Sequence, residues 1–169
     1  DCAVIAILFA WIIVESSTLL AQEAKQLKDS ILHLQTLEKY REAMQVYSLL
    51  LEKEPQLASH YYHRAELRKK MHDIRGAISD FSKAITLDSM ETEYYAARGE
   101  ARWTLRDSKN AILDYSEAIS LNRKNDTLYT YRGLIRIFSS EKELGCKDLK
   151  KAKRLGSEKA IDYLKEFCK

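Results

Sequence analysis

The chain has 169 residues, enough for one domain with a sizeable hydrophobic core. Its formal net charge of +3 is the balance of 28 Lys and Arg against 25 Asp and Glu, which are interleaved, so no nucleic-acid partner is predicted. One proline and five glycines leave few breaks in a composition that favours helix, and an all-α fold is expected.

A hydrophobic segment, residues 1–21, begins the sequence. Residues 2–14 form an unbroken apolar run that is shorter than the ~20 residues needed to span a membrane. This length is typical of a signal peptide, and Ala21 offers a small residue for cleavage. We therefore predict export to the periplasm or outside the cell. The alternative is an uncleaved anchor that holds the protein at the membrane through residues 2–20.

The remaining sequence repeats with a spacing of 34 residues. The first set of recurring residues is Tyr61, Arg64, Ala65, Ala77, Asp80, Phe81, Ala84, Ile85 and Leu87, and the second is Tyr95, Arg98, Gly99, Ala111, Asp114, Tyr115, Ala118, Ile119 and Leu121. Small and large side chains keep their places, so each unit rebuilds the same helix–helix contacts. We predict units at 24–57, 58–91, 92–125 and 126–159, the outer two divergent, and a capping helix at 157–169.

Each unit is predicted to be a pair of helices. Asp107 is placed to cap a second helix from Ser108 to Leu121. Ser140 and Glu143 have capping-box spacing just before the corresponding helix of the last unit. These residues predict where the second helices begin.

Arginine and aspartate recur with the same period. The residues are Arg64, Arg98 and Arg132, and Asp80, Asp114 and Asp148. One hypothesis is a ladder of arginines that binds an acidic ligand. Because both series share the period, we favour structural ion pairs, in which each guanidinium binds an aspartate on the second helix of its own or an adjacent unit.

One pattern occurs in both of the strings YYHRAELRKKMHDIRGAISDFSKAITLD and YYAARGEARWTLRDSKNAILDYSEAISLN. It consists of an aromatic residue, a small residue four places on, and then Ala, an aromatic residue and Ala. In this pattern the chain resembles the tetratricopeptide repeat (TPR) family over about residues 24–159. The resemblance implies a short right-handed solenoid of about four helix-turn-helix units plus a C-terminal capping helix. The string LGCKDLKKAKRLGSEKA is also similar to the last unit of exported bacterial TPR proteins.

The resemblance implies that the first helices line a concave groove that binds a peptide or protein segment. Its places in this sequence are Lys28, Leu32, Gln35, Tyr62, Glu66, Lys69, Lys70, Glu93, Ala96, Glu100, Trp103, Thr130 and Leu134. Tyr62 and Trp103 are the predicted aromatic anchors, since aromatic residues dominate interface energies. The alternative for Trp103 is packing between adjacent helices. Ile137 and Phe138 also hold groove places, but we expect the capping helix to bury them.

One class of partner is argued against. TPR proteins that bind the acidic tail of cytosolic heat-shock chaperones use Lys and Asn on one first helix, then Asn, Lys and Arg on the next two. The matching places here hold Lys28, Leu32, His63, Glu93 and Ala97. Only the lysine fits, and Glu93 would repel a carboxylate.

No catalytic, metal or cofactor site is predicted. His60, His63 and Glu66 follow one another at helical spacing, but they drift around the helix and no fourth ligand lies close in sequence. The sequence has no nucleophile elbow, glycine-rich phosphate loop or Cys-x-x-Cys motif. We interpret the protein as non-enzymatic.

Cys146 and Cys168 are candidates for a disulfide, whereas Cys2 lies in the predicted leader. They lie at similar distances on either side of a turn near Gly156, so antiparallel helices joined there would bring them face to face. The alternative is two buried thiols that pack as small apolar groups.

The leading functional hypothesis is a protein–protein interaction scaffold whose partner is a peptide or protein of unknown identity. The alternative is an architectural or membrane-anchored assembly factor of a cell-envelope complex that acts through self-association. Apolar residues of the first unit, Leu32, Leu49 and Leu51, would supply the contact surface for that role.

Overall fold

A computed structural model describes residues 22, 23, 25–27, 29–31, 33, 34 and 39–169. The predicted leader and the groove places Lys28, Leu32 and Gln35 lie outside these residues. Within the described ranges the regular elements are all helices. The chain divides into two compact units, Asp1–Gln56 and Leu57–Lys169.

The described part of the first unit contains helix α1, Tyr40–Lys53. Its buried residues include Tyr47, Leu50 and Leu51, which lie on one side of the helix because the two leucines follow Tyr47 by three and four residues. The prediction that Leu51 is exposed as part of an apolar contact surface for self-association is therefore wrong. Leu49, in contrast, is exposed as predicted.

The second unit is a stack of helices that each pack on the next along the chain. They are α2 (Ala58–Lys70), α3 (Ile74–Leu87), α4 (Thr92–Thr104), α5 (Ser108–Leu121), α6 (Asp126–Phe138), α7 (Lys142–Leu155) and α8 (Glu158–Phe167). Three helix pairs followed by the single helix α8 form the solenoid with a capping helix that the repeat predicts. The all-α fold is confirmed.

Short turns end the first helix of each pair and begin the second. Asp107 caps α5 as predicted, and its carboxylate accepts a hydrogen bond from the backbone N–H of Asn110. The predicted capping box at Ser140 and Glu143 is wrong, because Ser140 lies in the turn with φ +67° and the cap position is Glu141. Glu141 makes no capping hydrogen bond from its side chain, which is one methylene longer than that of Asp107.

The recurring arginines and aspartates form structural ion pairs, as predicted. Each aspartate is buried on a second helix and accepts hydrogen bonds from the first-helix arginine of the same pair. The pairs are Arg64–Asp80, Arg98–Asp114 and Arg132–Asp148, each with a contact of 2.8 Å. The arginines are therefore occupied within the stack and do not form a ladder for a ligand.

The same arginines also join one helix pair to the preceding pair. Arg98 donates to Ser82 Oγ on α3, and Arg132 donates to Ser116 Oγ on α5, both at 3.0 Å. Each guanidinium also lies over a tyrosine ring at 5.7 to 5.8 Å, a distance at which the cation attracts the ring face. Repetition of arginine thus serves the contacts both within and between helix pairs.

Helices α6 and α7 approach most closely at two glycines. A Cβ atom added to Gly145 would lie 2.5 Å from the carbonyl oxygen of Gly133 and 2.6 Å from Cγ1 of Ile137. We expect Gly145→Ala to lower the free energy of unfolding by about 1–3 kcal/mol, because the backbones must separate to admit the methyl group. Urea unfolding followed by circular dichroism measures this, with the exposed Lys150→Ala on α7 as the control; equal stability of both variants would contradict the close approach.

The capping helix α8 covers the last pair and is joined to it covalently. Ala160 of α8 is buried in a core that includes Leu149 and Ala152 of α7. A disulfide connects Cys146, on α7, to Cys168, which follows α8, with 5.8 Å between the Cα atoms. The structure therefore has the bonded arrangement of these cysteines rather than two separate thiols.

Candidate protein-interaction groove

The first helices α2, α4 and α6 together line an open cavity of about 290 Å³. Six of the predicted groove places lie around it, namely Tyr62, Glu66, Lys69, Glu93, Ala96 and Glu100. We call these six residues, with Tyr131 of α6, the groove. It is formed where first helices lie side by side; Glu66 and Glu100 hold the same repeat place, whereas Tyr62 and Tyr131 do not repeat.

Carboxylates dominate the charge of the groove. Lys69 Nζ lies 2.6 Å from Glu100 and 3.3 Å from Glu66, so its charge is compensated. Burial by itself would lower the pKa of Lys69, but the hydrogen bond to Glu100 and the charge of Glu66 raise it overall. Glu93 is exposed, and it has no ion-pair partner in the part of the chain that the structure describes.

Tyr62 contributes an aromatic wall to the groove. Its ring centroid lies 5.0 Å from that of Tyr94 and 5.7 Å from that of Phe81. Burial raises the pKa of Tyr62, and the nearby charges of Glu66 and Glu93 raise it further, so the phenol stays neutral. A half-buried ring held on two sides is a rigid part of the groove wall.

Tyr131 is a groove residue that the sequence interpretation missed. Its ring stacks on that of the buried Tyr115 with 5.8 Å between centroids, and 46% of its surface is exposed. Burial raises the pKa of Tyr115, so the supporting ring is also neutral. Tyr131 holds the repeat place of His63 and Ala97, and this lack of repetition is the signal that would have identified it.

Four predicted site residues lie elsewhere. Lys70 is exposed at the end of α2 but does not line the groove cavity. Trp103 is half-buried against the core and stacks on Phe138 at 6.3 Å, as the packing alternative predicted. Thr130 and Leu134 line a second cavity of about 340 Å³, which shares Tyr131 with the groove. Thr130 is only 5% exposed, and its hydroxyl lies 3.2 Å from that of the buried Ser157.

The burial predicted for Phe138 is wrong. Ile137 is half-buried and packs against the core, but Phe138 is 61% exposed. Phe138 is the last residue of α6, and the rings of Trp103 and Phe167 cover it only in part. The capping helix ends at Phe167, so it does not extend over the outer face of this ring.

The described residues contain neither a cluster suited to a metal ion nor a membrane-spanning helix. Across these ranges, no three His, Cys, Asp or Glu side chains are grouped closely enough to hold a metal ion. None of the helices described is both long and apolar enough to cross a bilayer. His60, part of the metal pattern considered above, is buried in α2, while His63 is exposed.

Comparisons with known proteins agree with this architecture. Residues 92–125 match the sequence profile of the tetratricopeptide repeat. Among solved structures, the chain is similar to MamA from Desulfovibrio magneticus RS-1, with a TM-score of 0.72, 15% identity and coverage of 78% of this chain and 75% of that chain. A TPR protein from Parabacteroides merdae has a TM-score of 0.78 and 15% identity, with coverage of 82% and 56%.

A third similar structure is the first TPR domain of Spaghetti (RPAP3), bound to the HSP90 peptide SRMEEVD. It has a TM-score of 0.66 and 25% identity, with coverage of 70% of this chain and 94% of that chain. No curated protein sequence matches the chain significantly. The fold is that of TPR proteins, and the resemblance of the sequence to the TPR family is confirmed.

Proposed function

We propose that the chain is a non-enzymatic scaffold that binds a peptide or protein segment in the groove. The observation that carries this proposal is the position of Tyr62, Tyr131 and the glutamates around one open cavity. Arg98 and Asp114, which repeat, bind each other within the stack, whereas Glu93 and Tyr131 do not repeat and are exposed to a partner. The peptide bound to the RPAP3 domain supports this use of a TPR fold.

The partner proposed here differs from the acidic HSP90 peptide of that neighbour. Glu66, Glu93 and Glu100 line the groove, and its single lysine is paired with two of them. A carboxylate-rich peptide would bring like charges together in this cavity. The geometry therefore supports peptide binding and agrees with the argument against a chaperone-tail clamp.

The test begins with crosslinking and mass spectrometry of the protein in its own cells, which identifies the partner. We expect Tyr62→Ala and Tyr131→Ala each to weaken binding of that partner by about 10- to 30-fold, since truncated aromatic anchors cost roughly 1.4–2 kcal/mol or more. Isothermal titration calorimetry measures the affinities. Leu113→Ala is the control, because Leu113 is an exposed apolar residue on a second helix.

Trp103→Ala distinguishes the two interpretations of that tryptophan. A packing role predicts lower stability with little change in affinity, because the ring lies against the core and Phe138. An anchor role predicts weaker binding of the partner with little change in stability. Unchanged affinity in both tyrosine variants would show that the groove is not the binding site.

We also propose that the protein is exported, or anchored to the membrane by residues 2–20. The apolar run of 2–14 supports this location, as does the disulfide of Cys146 and Cys168, since such bonds persist in oxidising compartments. Fractionation of the native cells tests the proposal, and recovery of the protein only in the cytosol would end it.

Self-association in a cell-envelope complex remains a second proposal. The exposed Leu49 on α1 favours it, because apolar side chains on a surface can be covered by another copy. Mass measurement in solution should then show a concentration-dependent oligomer that Leu49→Ser disrupts. A monomer at all concentrations would exclude this role.

A further inference from the structure

We infer that the groove selects an extended segment that carries lysine or arginine side chains. This inference rests on the proposed function, and it names the chemical class of the partner. The chain as a whole has a net charge of +3, so an acidic cavity is a local property rather than a reflection of overall composition. Local charge of this kind selects among partners more than it adds affinity.

The ion pairs of the groove leave negative charge in excess. Lys69 is the only cation among the residues that line this cavity, and three glutamates share the lining with it. Its contacts of 2.6 Å to Glu100 and 3.3 Å to Glu66 compensate its charge within the fold. One lysine cannot balance three carboxylates, so the exposed Glu93, and the negative charge that Glu66 and Glu100 keep while they share Lys69, can receive a cation from a partner.

The neighbouring cavity continues the same charge pattern. It adjoins the groove at Thr127 and Tyr131, which line both cavities. Asp126 and Glu158 line it together with one cation, Lys159. A segment that extends from the groove into this cavity would meet an excess of carboxylates along its whole path.

Tyrosine faces complement these carboxylates. Tyr131 is half exposed and held against Tyr115, so it presents a fixed aromatic surface beside the cavity. A tyrosine face attracts a lysine or arginine side chain, and the aliphatic stem of that side chain packs on the ring. The fold uses the same pairing internally, where Arg98 lies 5.8 Å from the centre of the Tyr95 ring.

The experiment uses a random dodecapeptide display library and the full chain as bait. We expect the selected peptides to be enriched in Lys and Arg and depleted of Asp and Glu. A selected peptide, synthesised with a fluorescein label, should bind more weakly at 500 mM than at 50 mM NaCl, because salt screens the exposed carboxylates. Fluorescence anisotropy measures the affinity.

Isosteric Glu→Gln variants test whether the groove carboxylates bind the basic peptide. The double variant Glu93→Gln and Glu100→Gln should weaken binding of the selected basic peptide by about tenfold, since each lost rim charge costs up to about 1 kcal/mol. The matched control is Glu117→Gln with Glu143→Gln, which removes the same charge from exposed positions outside the groove. We expect less than about a twofold change in the control, because distant surface charges are screened.

The outcomes separate the partner class from the proposed function. Peptides that lose affinity in Tyr131→Ala but show no charge preference would overturn the basic class and leave groove binding intact. Selection of acidic peptides would also overturn it. Binding that depends on neither Tyr131 nor the glutamates, or self-association that displaces the basic peptide from the groove, would overturn both.

Discussion

Replacement of Asp114 by alanine is expected to lower the free energy of unfolding by about 3–5 kcal/mol. The carboxylate is 2% exposed and accepts hydrogen bonds from Arg98 and Arg102, each with a contact of 2.8 Å. The substitution leaves two largely buried guanidinium groups without their anion, and their desolvation is then uncompensated. Urea unfolding followed by circular dichroism measures the loss.

Two further variants test the cause. Asp114→Asn keeps the shape of the side chain and removes its charge, so a similar loss would assign the effect to the ion pairs rather than to a cavity. Asp162→Ala breaks an exposed pair with Lys165, whose contribution is expected to be below about 1 kcal/mol. Equal losses for Asp114→Ala and Asp162→Ala would contradict the role of burial.

Loss of the disulfide is the second large effect expected. Cys168→Ser should lower the free energy of unfolding by about 3 kcal/mol, because the bond closes a loop between residues 22 positions apart and so restricts the unfolded chain. Thermal unfolding with and without reductant measures it. The native chain should lose this stability on reduction, whereas Cys168→Ser should be insensitive to the reductant.

Peptide mapping without reduction provides the covalent check. A linked peptide pair containing Cys146 and Cys168 is expected, and Cys2 is mapped separately. Recovery of both Cys146 and Cys168 as free thiols from the unreduced native protein would contradict the bond. Equal sensitivity of the native chain and Cys168→Ser to reductant would show that the bond does not stabilise the cap.

The 34-residue spacing of the sequence was enough to predict the helix pairs and the ion pairs that join their helices. Asp107 marks the start of α5 because capping depends on a few adjacent residues. Ion pairs between the arginine and aspartate series were predicted because a repeated residue meets the same neighbour in every unit. The structure decided that the partner lies in the same helix pair, as in Arg98–Asp114. Local chemistry and constant spacing are both readable from one sequence.

Two of the wrong predictions fall where the last unit departs from the pattern. Ser140 has the right spacing for a cap, but the turn places it one residue too early, so Glu141 occupies the cap position. Phe138 has the right periodicity for burial, but α8 ends too soon to cover it. Both outcomes depend on where a helix ends in space, which spacing alone does not determine.

In the groove, too, the sequence predicted some features and the packing of the helices decided others. The resemblance to the TPR family implied which first-helix places would contact a partner, and this is how Tyr62, Glu93 and Glu100 were selected. Packing between adjacent units decided that Trp103 lies against Phe138 and that Tyr131 is exposed on Tyr115. The groove is acidic partly because the charge of its one lysine, Lys69, is compensated by Glu100, which lies 31 positions away in sequence. Repeating residues have constant neighbours that spacing predicts, whereas the neighbours of non-repeating side chains are set only when the units stack.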